Sequence, residues 1–352
     1  MLRIGYKASA EQFGPNELLE FSCAAEELGF DSVFVSDHFQ SWKHTGGHAP
    51  YSFAWLGALG AKTTRVQIGT SVATPTFRYH PSVVAQAVGT LGAMFPDRVI
   101  FGVGTGESLN DVPATGIKWP GFRERQGRLR ESILLMRRLW TEERVTFEGR
   151  FHQFRDVTVL PRPTQTPHPP IWVAAVVSPE SFVWAGEQGH HMMVVPYLGE
   201  HHELAEKLQL YRRAYREHGH EAARGPGEVM MVLHLYVAPT VREAREEGRA
   251  YMERYLHNFR ASARAWTGRQ SGQYKAYSGL EQMLEEITYE RVLDETRAII
   301  GDPEDAARQI AYVRDTFGDV HASFQINFGV MEEARARRSI ELFAQQVMPR
   351  FR

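Results

Sequence analysis

Side chains that can exchange protons are concentrated in one short segment near the amino terminus. Residues 35–50 read VSDHFQSWKHTGGHAP, which places Asp37 directly before His38 and puts Trp42 four residues later. Histidine titrates near neutral pH, so His38 is a candidate for general acid–base catalysis. The alternative is a loop histidine that is hydrogen-bonded to the backbone, and the segment by itself does not separate the two.

The same segment contains two further histidines whose spacing would suit a metal site. His44 and His48 are four residues apart, which is the separation of two ligands on one face of a helix. Gly46 and Gly47 lie between them and disfavour a helix. We therefore interpret both histidines as loop residues or substrate contacts, and we predict no metal site.

A second candidate site follows the apolar run at residues 98–104. The sequence GVGTGESLN covers residues 102–110 and carries one acidic side chain, Glu107. Closely spaced glycines let a flat ligand approach the backbone. The spacing is not that of a dinucleotide-binding loop, because Leu109 occupies the place of the third glycine. Glu107 is either an acid or base beside a bound ring or a cap for the next helix.

Short apolar runs alternate with amphipathic segments along the chain, and this alternation predicts the fold. Eight runs rich in Val, Ile and Phe are too short for helices and are predicted strands, at 3–8, 32–37, 66–72, 98–104, 171–176, 191–197, 229–237 and 321–328. Helices are predicted at 15–29, 81–95, 122–141, 179–188, 200–218, 240–258, 303–317 and 331–347.

Eight strands separated by helices favour parallel pairing through right-handed crossovers. Eight such units close into a (β/α)8 TIM barrel, so the predicted fold class is α/β, with the candidate site at the carboxyl ends of the strands. An open, doubly wound sheet is the alternative. We predict one domain over 1–352 with insertions at about 107–121, 143–170 and 258–300. The second insertion is predicted to be a hairpin that turns at Glu148-Gly149.

Composition limits the classes of function. The chain has 352 residues, of which 43% are hydrophobic, and this is enough for a large core. A formal net charge of −2 gives no electrostatic reason to bind nucleic acid or a membrane surface. Cys23 is the only cysteine, which excludes an intrachain disulfide.

With no secretory signal and no bilayer-spanning stretch evident, we expect a cytoplasmic homodimer that takes a small-molecule substrate.

Four segments in the first third of the chain carry a family resemblance. They read GYKASAEQF, VSDHFQSWKHTGGHAP, GTSVATPTFRYHP and GVGTGESLN. Together they resemble the bacterial luciferase-like superfamily, and in particular its glucose-6-phosphate dehydrogenases that use the deazaflavin coenzyme F-420. The resemblance implies a barrel that holds the ring of the coenzyme at its carboxyl-terminal mouth, and an oxidoreductase that transfers hydride.

The resemblance also implies roles for individual residues. His38 would be the base near the reacting carbon, Glu107 an acid or base beside the ring, and Trp42 a wall of the substrate site. The peptide bond between Ser71 and Val72 would be cis. The residues that would line the cofactor are Asp37, Ser71, Val72, Thr74, Gly104, Thr105, Gly106, Asn110, Ala174, Ala175, Val176, Val177 and Ser178.

The second half of the chain departs from the dehydrogenase pattern. Residues 176–181 read VVSPES in place of a glycine-rich turn and resemble flavin-dependent members of the superfamily, as does QINFGVMEEARARRSIELFAQQVMP near the carboxyl terminus. Ser178 is also a candidate helix cap, with Ser181 three residues later. Coenzyme F-420 is the predicted cofactor. The alternatives are FMN in a reduced-FMN monooxygenase, or a catalytically silent flavin-binding barrel.

The predicted sixth strand leads into a segment without a cation. Residues 195–203 contain no Lys or Arg and carry Glu200 and Glu203. Burying a phosphate dianion without a paired cation is unfavourable, so glucose 6-phosphate is not the predicted substrate. The apolar segment 196–198 favours a more apolar alcohol or carbonyl compound. The cations that could reach this segment from elsewhere in the chain are Arg78, Lys275 and Arg297.

Overall fold

The computed structural model describes residues 2–42, 46–267 and 284–352, without the side chains of 264–267. The strands, in chain order, are β1 (Arg3–Ala8), β2 (Ser32–Val35), β3 (Gln67–Thr70), β4 (Val99–Val103), β5 (Val145–Glu148), β6 (Gln153–Val157), β7 (Ile171–Ala174), β8 (His191–Val194), β9 (Val229–Val237), β10 (Ile299–Gly301) and β11 (His321–Gln325).

The helices lie between these strands. They are α1 (Pro15–Glu27), α2 (Ser52–Lys62), α3 (Pro81–Met94), α4 (Ser108–Thr115), α5 (Phe122–Thr141), α6 (Pro179–Glu187), α7 (His201–Glu217), α8 (His220–Arg224), α9 (Val241–Thr267), α10 (Tyr289–Asp294), α11 (Pro303–Phe317) and α12 (Glu333–Leu342). None of the helices in the described ranges has the length and apolar character that crossing a bilayer requires.

Eight parallel strands close into a barrel, which confirms the predicted TIM barrel and excludes the open sheet. The order is β9-β11-β1-β2-β3-β4-β7-β8, and β8 pairs again with β9. These are the eight strands predicted from the apolar runs. Every residue of β2 and of β9 is buried, as expected for strands that have the barrel interior on one face and helices on the other.

Local signals set most of the helix ends. Pro15 occupies the first turn of α1, and Gly29 follows that helix with a φ of 94°, a left-handed conformation that favours glycine. Helix α9 runs to Thr267 and is therefore longer than predicted. Helix α2 is absent from the sequence prediction because its sequence, SFAWLGALGAK, is apolar nearly throughout and shows no polar stripe.

The structure describes short strands within two of the segments predicted as insertions, 143–170 and 258–300. Strands β5 and β6 form the expected antiparallel hairpin, in which Glu148 pairs with Gln153. In the last insertion, β10 pairs with the second half of β9, Ile299 with Leu235. This strand has only three residues, too few for an apolar run to identify it. Residues 268–283, and with them Lys275, lie outside the described residues.

Inward-facing side chains fill the interior of the barrel between its two ends. An apolar cluster occupies the interior, made by Phe34, Ile100, Trp172, Met193 and Met230. At the amino-terminal end, His321 Nε2 is hydrogen-bonded to Ser32 Oγ at 2.8 Å. Burial lowers the pKa of His321 well below its ordinary value, so this ring is neutral. The amino-terminal end is thus filled, and a ligand of the barrel has access from the carboxyl-terminal mouth.

Candidate active site at the barrel mouth

His38 follows β2 and lies between two acidic side chains. Its Nε2 atom is 3.9 Å from Glu11 Oε1 and 3.9 Å from Glu107 Oε2. The His38 side chain is 12% exposed and that of Glu107 is 43% exposed, so the pair faces the mouth. His38 Nδ1 has no hydrogen-bond partner among the described residues. This arrangement places a proton carrier beside two carboxylates, which is the requirement for acid–base chemistry on a bound ligand.

Glu11, which the sequence analysis did not single out, belongs to a buried charged chain beneath His38. Ser36 Oγ donates a hydrogen bond to Glu11 Oε1 at 2.6 Å, and Lys7 Nζ donates to Ser36 Oγ. Burial alone would raise the pKa of Glu11, but Lys7, His38 and the hydrogen bond from Ser36 hold it below its ordinary value. The available signal was the pair of charged residues inside the otherwise uncharged GYKASAEQF segment.

Asp37 anchors the loop that carries His38. Its carboxylate accepts hydrogen bonds from Ser52 Oγ at 2.8 Å and Tyr79 OH at 3.1 Å, and it forms an ion pair with Arg78 at 2.5 Å. All three donors are protein groups, so the observed role of Asp37 is to hold its loop, and a contact with a cofactor stays a prediction. Arg78, a cation considered for a phosphate group, is committed to this buried pair.

Asn110 joins the loop after β2 to the loop after β4. Its Oδ1 accepts hydrogen bonds from the backbone N–H groups of Phe39 at 2.9 Å and Gln40 at 3.1 Å. Its Nδ2 donates to Glu107 Oε2 at 3.0 Å. One buried amide therefore fixes the His38 loop and orients the Glu107 carboxylate at the same time.

Glu107 occupies the N-cap position of α4, but its side chain makes no capping hydrogen bond within the described chain. Instead, its backbone N–H donates to Asp111 Oδ2 at 3.0 Å, and the Glu107 side chain is left to face His38. Burial raises the pKa of Asp111 to about 6. The reading of Glu107 as a helix cap is wrong, and the reading as an acid or base at the mouth is favoured.

The loops after β3 and β4 form a surface that carries few side chains. The Ser71–Val72 peptide bond is cis, as the resemblance implies. A Cβ atom added to Gly104 would lie 2.9 Å from Val72 Cγ2, and one added to Gly106 would lie 2.9 Å from Thr74 Cγ2. Side chains at these glycines are therefore excluded by contact with the neighbouring loop. The two glycines therefore let the loop after β4 pack closely on Val72 and Thr74, and contact of these four residues with a cofactor stays a prediction.

Thr105 lies between the two glycines and contacts α5. Arg125 Nη1 is 3.5 Å from both Thr105 Oγ1 and the carbonyl oxygen of Gly106, and its guanidinium lies 5.0 Å from the ring of Trp119. Arg125 thereby supports the loop from the side of α5.

His44 lies outside the described residues, so its pairing with His48 has no structural account.

The end of β7 contributes the other residues expected to line the cofactor, Ala174, Ala175, Val176, Val177 and Ser178. Ala174 packs on the same inner cluster as Val72, whereas Val177 is 67% exposed. Ser178 is the N-cap residue of α6, but its side chain makes no capping hydrogen bond in the described chain, and Ser181 Oγ accepts from Gln126 Nε2 at 2.7 Å instead. The predicted capping box is wrong.

Aromatic side chains form the opposite wall of the mouth. The Trp42 ring lies 6.0 Å from His38, 5.3 Å from Phe259 and 5.5 Å from Tyr255. His234 contacts Tyr255 edge-on, with ring centres 4.1 Å apart. Burial lowers the pKa of His234 to about 3, so this imidazole is neutral. We refer to Trp42, Tyr197, His234, Tyr255 and Phe259 as the aromatic wall.

Similarity to known proteins agrees with this geometry. A family model described as luciferase-like monooxygenase matches residues 2–319. An F-420-dependent glucose-6-phosphate dehydrogenase of Mycolicibacterium gilvum is 39% identical over 100% of the chain and 98% of that relative. A protein of the same name from Intrasporangium calvum is 60% identical over 50% of the chain, and this match spans only about half of the relative, 52% of its length.

Two solved structures share the fold over the whole chain. Monooxygenase RslO1 from Streptomyces bottropensis superposes with a TM-score of 0.82 and 29% identity, covering 100% of both chains. An F-420-dependent secondary alcohol dehydrogenase in complex with an F-420–acetone adduct superposes with a TM-score of 0.80 and 28% identity, covering 100% of this chain and 99% of the other. The similar proteins therefore include both a deazaflavin enzyme and a monooxygenase.

Proposed function

The chain belongs to the luciferase-like monooxygenase family, and we propose that it is an oxidoreductase that uses coenzyme F-420 to transfer hydride to or from an alcohol or carbonyl compound more apolar than a sugar phosphate. The observation that carries the proposal is the position of His38. Its Nε2 atom lies 3.9 Å from carboxylate oxygens of both Glu11 and Glu107, and its loop is bound through Asn110 to the loop after β4. The names of the relatives from two bacteria and of the alcohol dehydrogenase structure support it.

The residues of the chain supply positioning and proton transfer. When bound, the deazaflavin supplies a ring carbon that accepts or releases hydride. Val72, Thr74, Gly104 and Gly106 would hold its ring. His38 removes the hydroxyl proton of an alcohol as the carbon–hydrogen bond breaks, and it returns that proton in the reverse direction.

Neighbouring groups keep His38 competent for this step. Glu11, charged because Lys7 and Ser36 stabilise its carboxylate, holds the imidazole from one side. Asn110 keeps Glu107 on the other side. Trp42 lies against the imidazole and is itself backed by Phe259, and this aromatic surface would exclude water from the reacting atoms.

The polarity of the aromatic wall supports an apolar substrate. Trp42, Tyr255 and Phe259 pack against each other within 6.1 Å between ring centres, so uncharged rings back the side of His38 on which Trp42 lies. Such a surface favours substrates that lose hydrophobic area from water. Glucose 6-phosphate, the substrate in the names of the two bacterial relatives, is therefore not the substrate that we propose.

The proposal is tested by cofactor binding followed by kinetics. Quenching of tryptophan fluorescence by F-420 and by FMN, measured in parallel, is expected to show preference for F-420. Reduction of F-420 is then followed with uncharged alcohols of increasing size and with glucose 6-phosphate. A kcat/KM for the sugar phosphate above about 10⁴ M⁻¹s⁻¹ would contradict the proposed substrate class.

A reduced-FMN monooxygenase is the second candidate function. It is favoured by the exposed VVSPES turn after β7 and by the similarity to the monooxygenase from Streptomyces bottropensis. In that case FMN would quench fluorescence more strongly than F-420, and the protein would consume oxygen when supplied with reduced FMN. A catalytically silent flavin-binding barrel would bind a cofactor without either activity. The cytoplasmic location and the homodimer stay predictions.

A further inference from the structure

Asp111 is a buried carboxylate next to the turn that carries Glu107, and it has no part in the mechanism described above. It lies in the first turn of α4 and is 1% exposed. Its Oδ2 accepts a hydrogen bond from the backbone N–H of Glu107 at 3.0 Å, and its own N–H donates to the Glu107 carbonyl oxygen at 2.9 Å. The backbone of Glu107 is therefore bound by one residue at both its donor and its acceptor.

The Asp111 carboxylate also packs closely against Gly106. A Cβ atom added to Gly106 would be 2.6 Å from Asp111 Oδ2 and 3.2 Å from Trp119 Cη2. Gly106 has a φ of 90°, a left-handed conformation that favours glycine. Since Glu107 follows directly and lies beside His38, a change at the Asp111 carboxylate acts on the backbone of the residue that faces the imidazole.

A capping box explains part of this geometry but not all of it. In a capping box, an acidic side chain of the first turn accepts a hydrogen bond from the N–H of the N-cap residue, and Glu107 is the N-cap residue of α4. Aspartate is rarely buried completely unless it is paired. Asp111 is buried, and its Oδ1 has no hydrogen-bond partner among the described residues. The cap alone therefore does not account for the burial of this carboxylate.

The groups around Asp111 leave it able to titrate close to neutral pH. Burial raises its pKa to about 6, Arg78 in the loop after β3 opposes this rise, and the charges of Glu107 and Asp37 add to it. Helix α9, which also packs on α4, contributes none of these groups. Arg125 Nη1, from α5, is 3.5 Å from the carbonyl oxygen that precedes Glu107. Asp111 is therefore ionised at neutral pH and takes up a proton as the pH falls through about 6.

We propose that Asp111 is a positioning residue, whose ionised carboxylate holds the backbone of Glu107 and so keeps the Glu107 side chain beside His38. A hydrogen bond to an ionised acceptor is about twice as strong as one to a neutral acceptor, so protonation of Asp111 loosens the turn. Asn110 Nδ2, from the preceding residue, binds Glu107 Oε2 at 3.0 Å, and the two contacts together set the direction of this side chain. The inference rests on the proposed function, because it concerns the acid–base group of the same site.

Hydrogen exchange at the Glu107 amide tests this hold directly. The exchange rate, corrected for the intrinsic effect of pH, is measured by mass spectrometry with fragmentation to single amides, on the purified protein between about pH 5 and 8. In the wild type we expect protection to rise about tenfold with a midpoint near pH 6, because Asp111 becomes an ionised acceptor there. In Asp111→Asn, which keeps an acceptor oxygen and removes the charge, protection should be low and independent of pH.

Turnover supplies a second readout. We expect Asp111→Asn to lower kcat for an uncharged alcohol by about tenfold at neutral pH, while KM changes less than about threefold, because the substrate contacts are unchanged. Circular dichroism establishes that the variant is folded. A protection curve that still rises near pH 6 in Asp111→Asn, or an unchanged kcat in the folded variant, would overturn the proposal.

Thr115→Val is the matched control on α4. Thr115 is exposed, and its Oγ1 donates a hydrogen bond to the carbonyl oxygen of Asp111 at 2.5 Å, so its substitution disturbs the same residue without changing a charge. The protection curve and kcat of this variant should match those of the wild type. A loss of protection equal to that in Asp111→Asn would also overturn the proposal, since it would reflect the stability of α4 alone.

Two further variants keep the test decisive if Asp111→Asn does not fold. The charge of Glu107 raises the pKa of Asp111, so in Glu107→Gln the midpoint of the protection curve should move to lower pH. In His38→Ala the rise should remain near pH 6. A rise that disappears in either variant would assign the titration to the substituted residue and overturn the proposal. Failure of the proposed function is seen separately, as absence of F-420 binding or of turnover by the wild type, whereas hydrogen exchange requires neither.

Discussion

The two sides of the barrel mouth are built on different physical principles. On the side of β2 and β4, hydrogen bonds link Lys7 through Ser36 to Glu11, and His38 Nε2 lies 3.9 Å from a carboxylate oxygen of both Glu11 and Glu107. On the side of β8 and β9, the aromatic rings of Tyr197, His234, Tyr255 and Phe259 pack on one another, and Arg297 behind them is paired with Glu200 and Glu295. Under the proposed function, the first side carries the chemistry and the second contacts the substrate, so one side can change without the other.

Removal of His38 should have the largest effect on turnover. We expect His38→Ala to lower kcat by about 10²–10⁴-fold, the usual contribution of a positioned acid or base, while F-420 affinity changes only a few-fold. Steady-state reduction of F-420 and fluorescence titration measure the two quantities. His202→Ala, at an exposed position on α7, is the control and should retain turnover. Equal losses of binding and turnover in His38→Ala would assign His38 to cofactor binding instead.

Glu107→Gln should have the next largest effect. The amide keeps the hydrogen-bonding size but not the charge beside His38, so we expect kcat to fall by about 10²-fold with cofactor affinity within a few-fold. Glu124→Gln, an exposed carboxylate that pairs with Arg128 on α5, should leave kcat unchanged. A pH profile of kcat that is identical in Glu107→Gln and the wild type would argue against a proton-transfer role for this carboxylate.

Substitutions in the aromatic wall should change KM more than they change kcat. Phe259 lies at 26° to Trp42 with ring centres 5.3 Å apart, and such a pair is worth about 0.5–1.5 kcal/mol. We expect Phe259→Leu to raise KM for an apolar alcohol by up to about tenfold, with kcat altered less than about threefold. Phe39→Leu, at an exposed position, is the control. A fall in kcat comparable to that of Glu107→Gln would remove the contrast between the two sides.

The smallest effect on turnover is expected from a histidine at the closed end of the barrel. Burial, with Arg137 the next largest influence, lowers the pKa of His190 from 6.5 to about 3. As the pH decreases, His190 takes up a proton in the unfolded chain before it does so in the folded protein. The free energy of unfolding therefore falls as the pH decreases from about 6.5 towards 3, and the contribution of His190 is fully present above that window. His190→Leu should reduce the slope of unfolding free energy against pH by about 1.4 kcal/mol per unit there.

Denaturant unfolding between pH 3 and 7 measures this slope, and turnover at neutral pH should be unchanged. Trp184→Phe, which alters the ring 5.4 Å from His190, is the control because it does not titrate and should shift stability equally at every pH. An unchanged slope in His190→Leu would mean that this imidazole is protonated in the folded protein. A loss of turnover in the same variant would show that the closed end takes part in the chemistry, against the division drawn here.

Much of the fold was predictable from local sequence. Each barrel strand is a short apolar run with both faces buried, and such a run is recognisable without knowing its neighbours. Helix α2 was not predicted because its apolar composition hides the polar stripe on which recognition depends. The placement of His38 after β2 and of Glu107 after β4, at the same end of the barrel, also followed from the sequence, because parallel strands of a barrel all end at the same mouth.

The sequence by itself therefore determined the barrel and its eight strands, although most strands end one to three residues earlier than predicted, and it placed His38 and Glu107 after two of them. Only the tertiary structure decided which distant side chains meet there: Glu11 with His38, Phe259 with Trp42, and Arg297 with Glu200. The physical reason is that strand and helix patterns arise from neighbours along the chain, whereas the pairing of charges and rings depends on closure of the barrel. A buried carboxylate beside an arginine leaves no periodic trace in the sequence, and its partner is known only when the chain has folded.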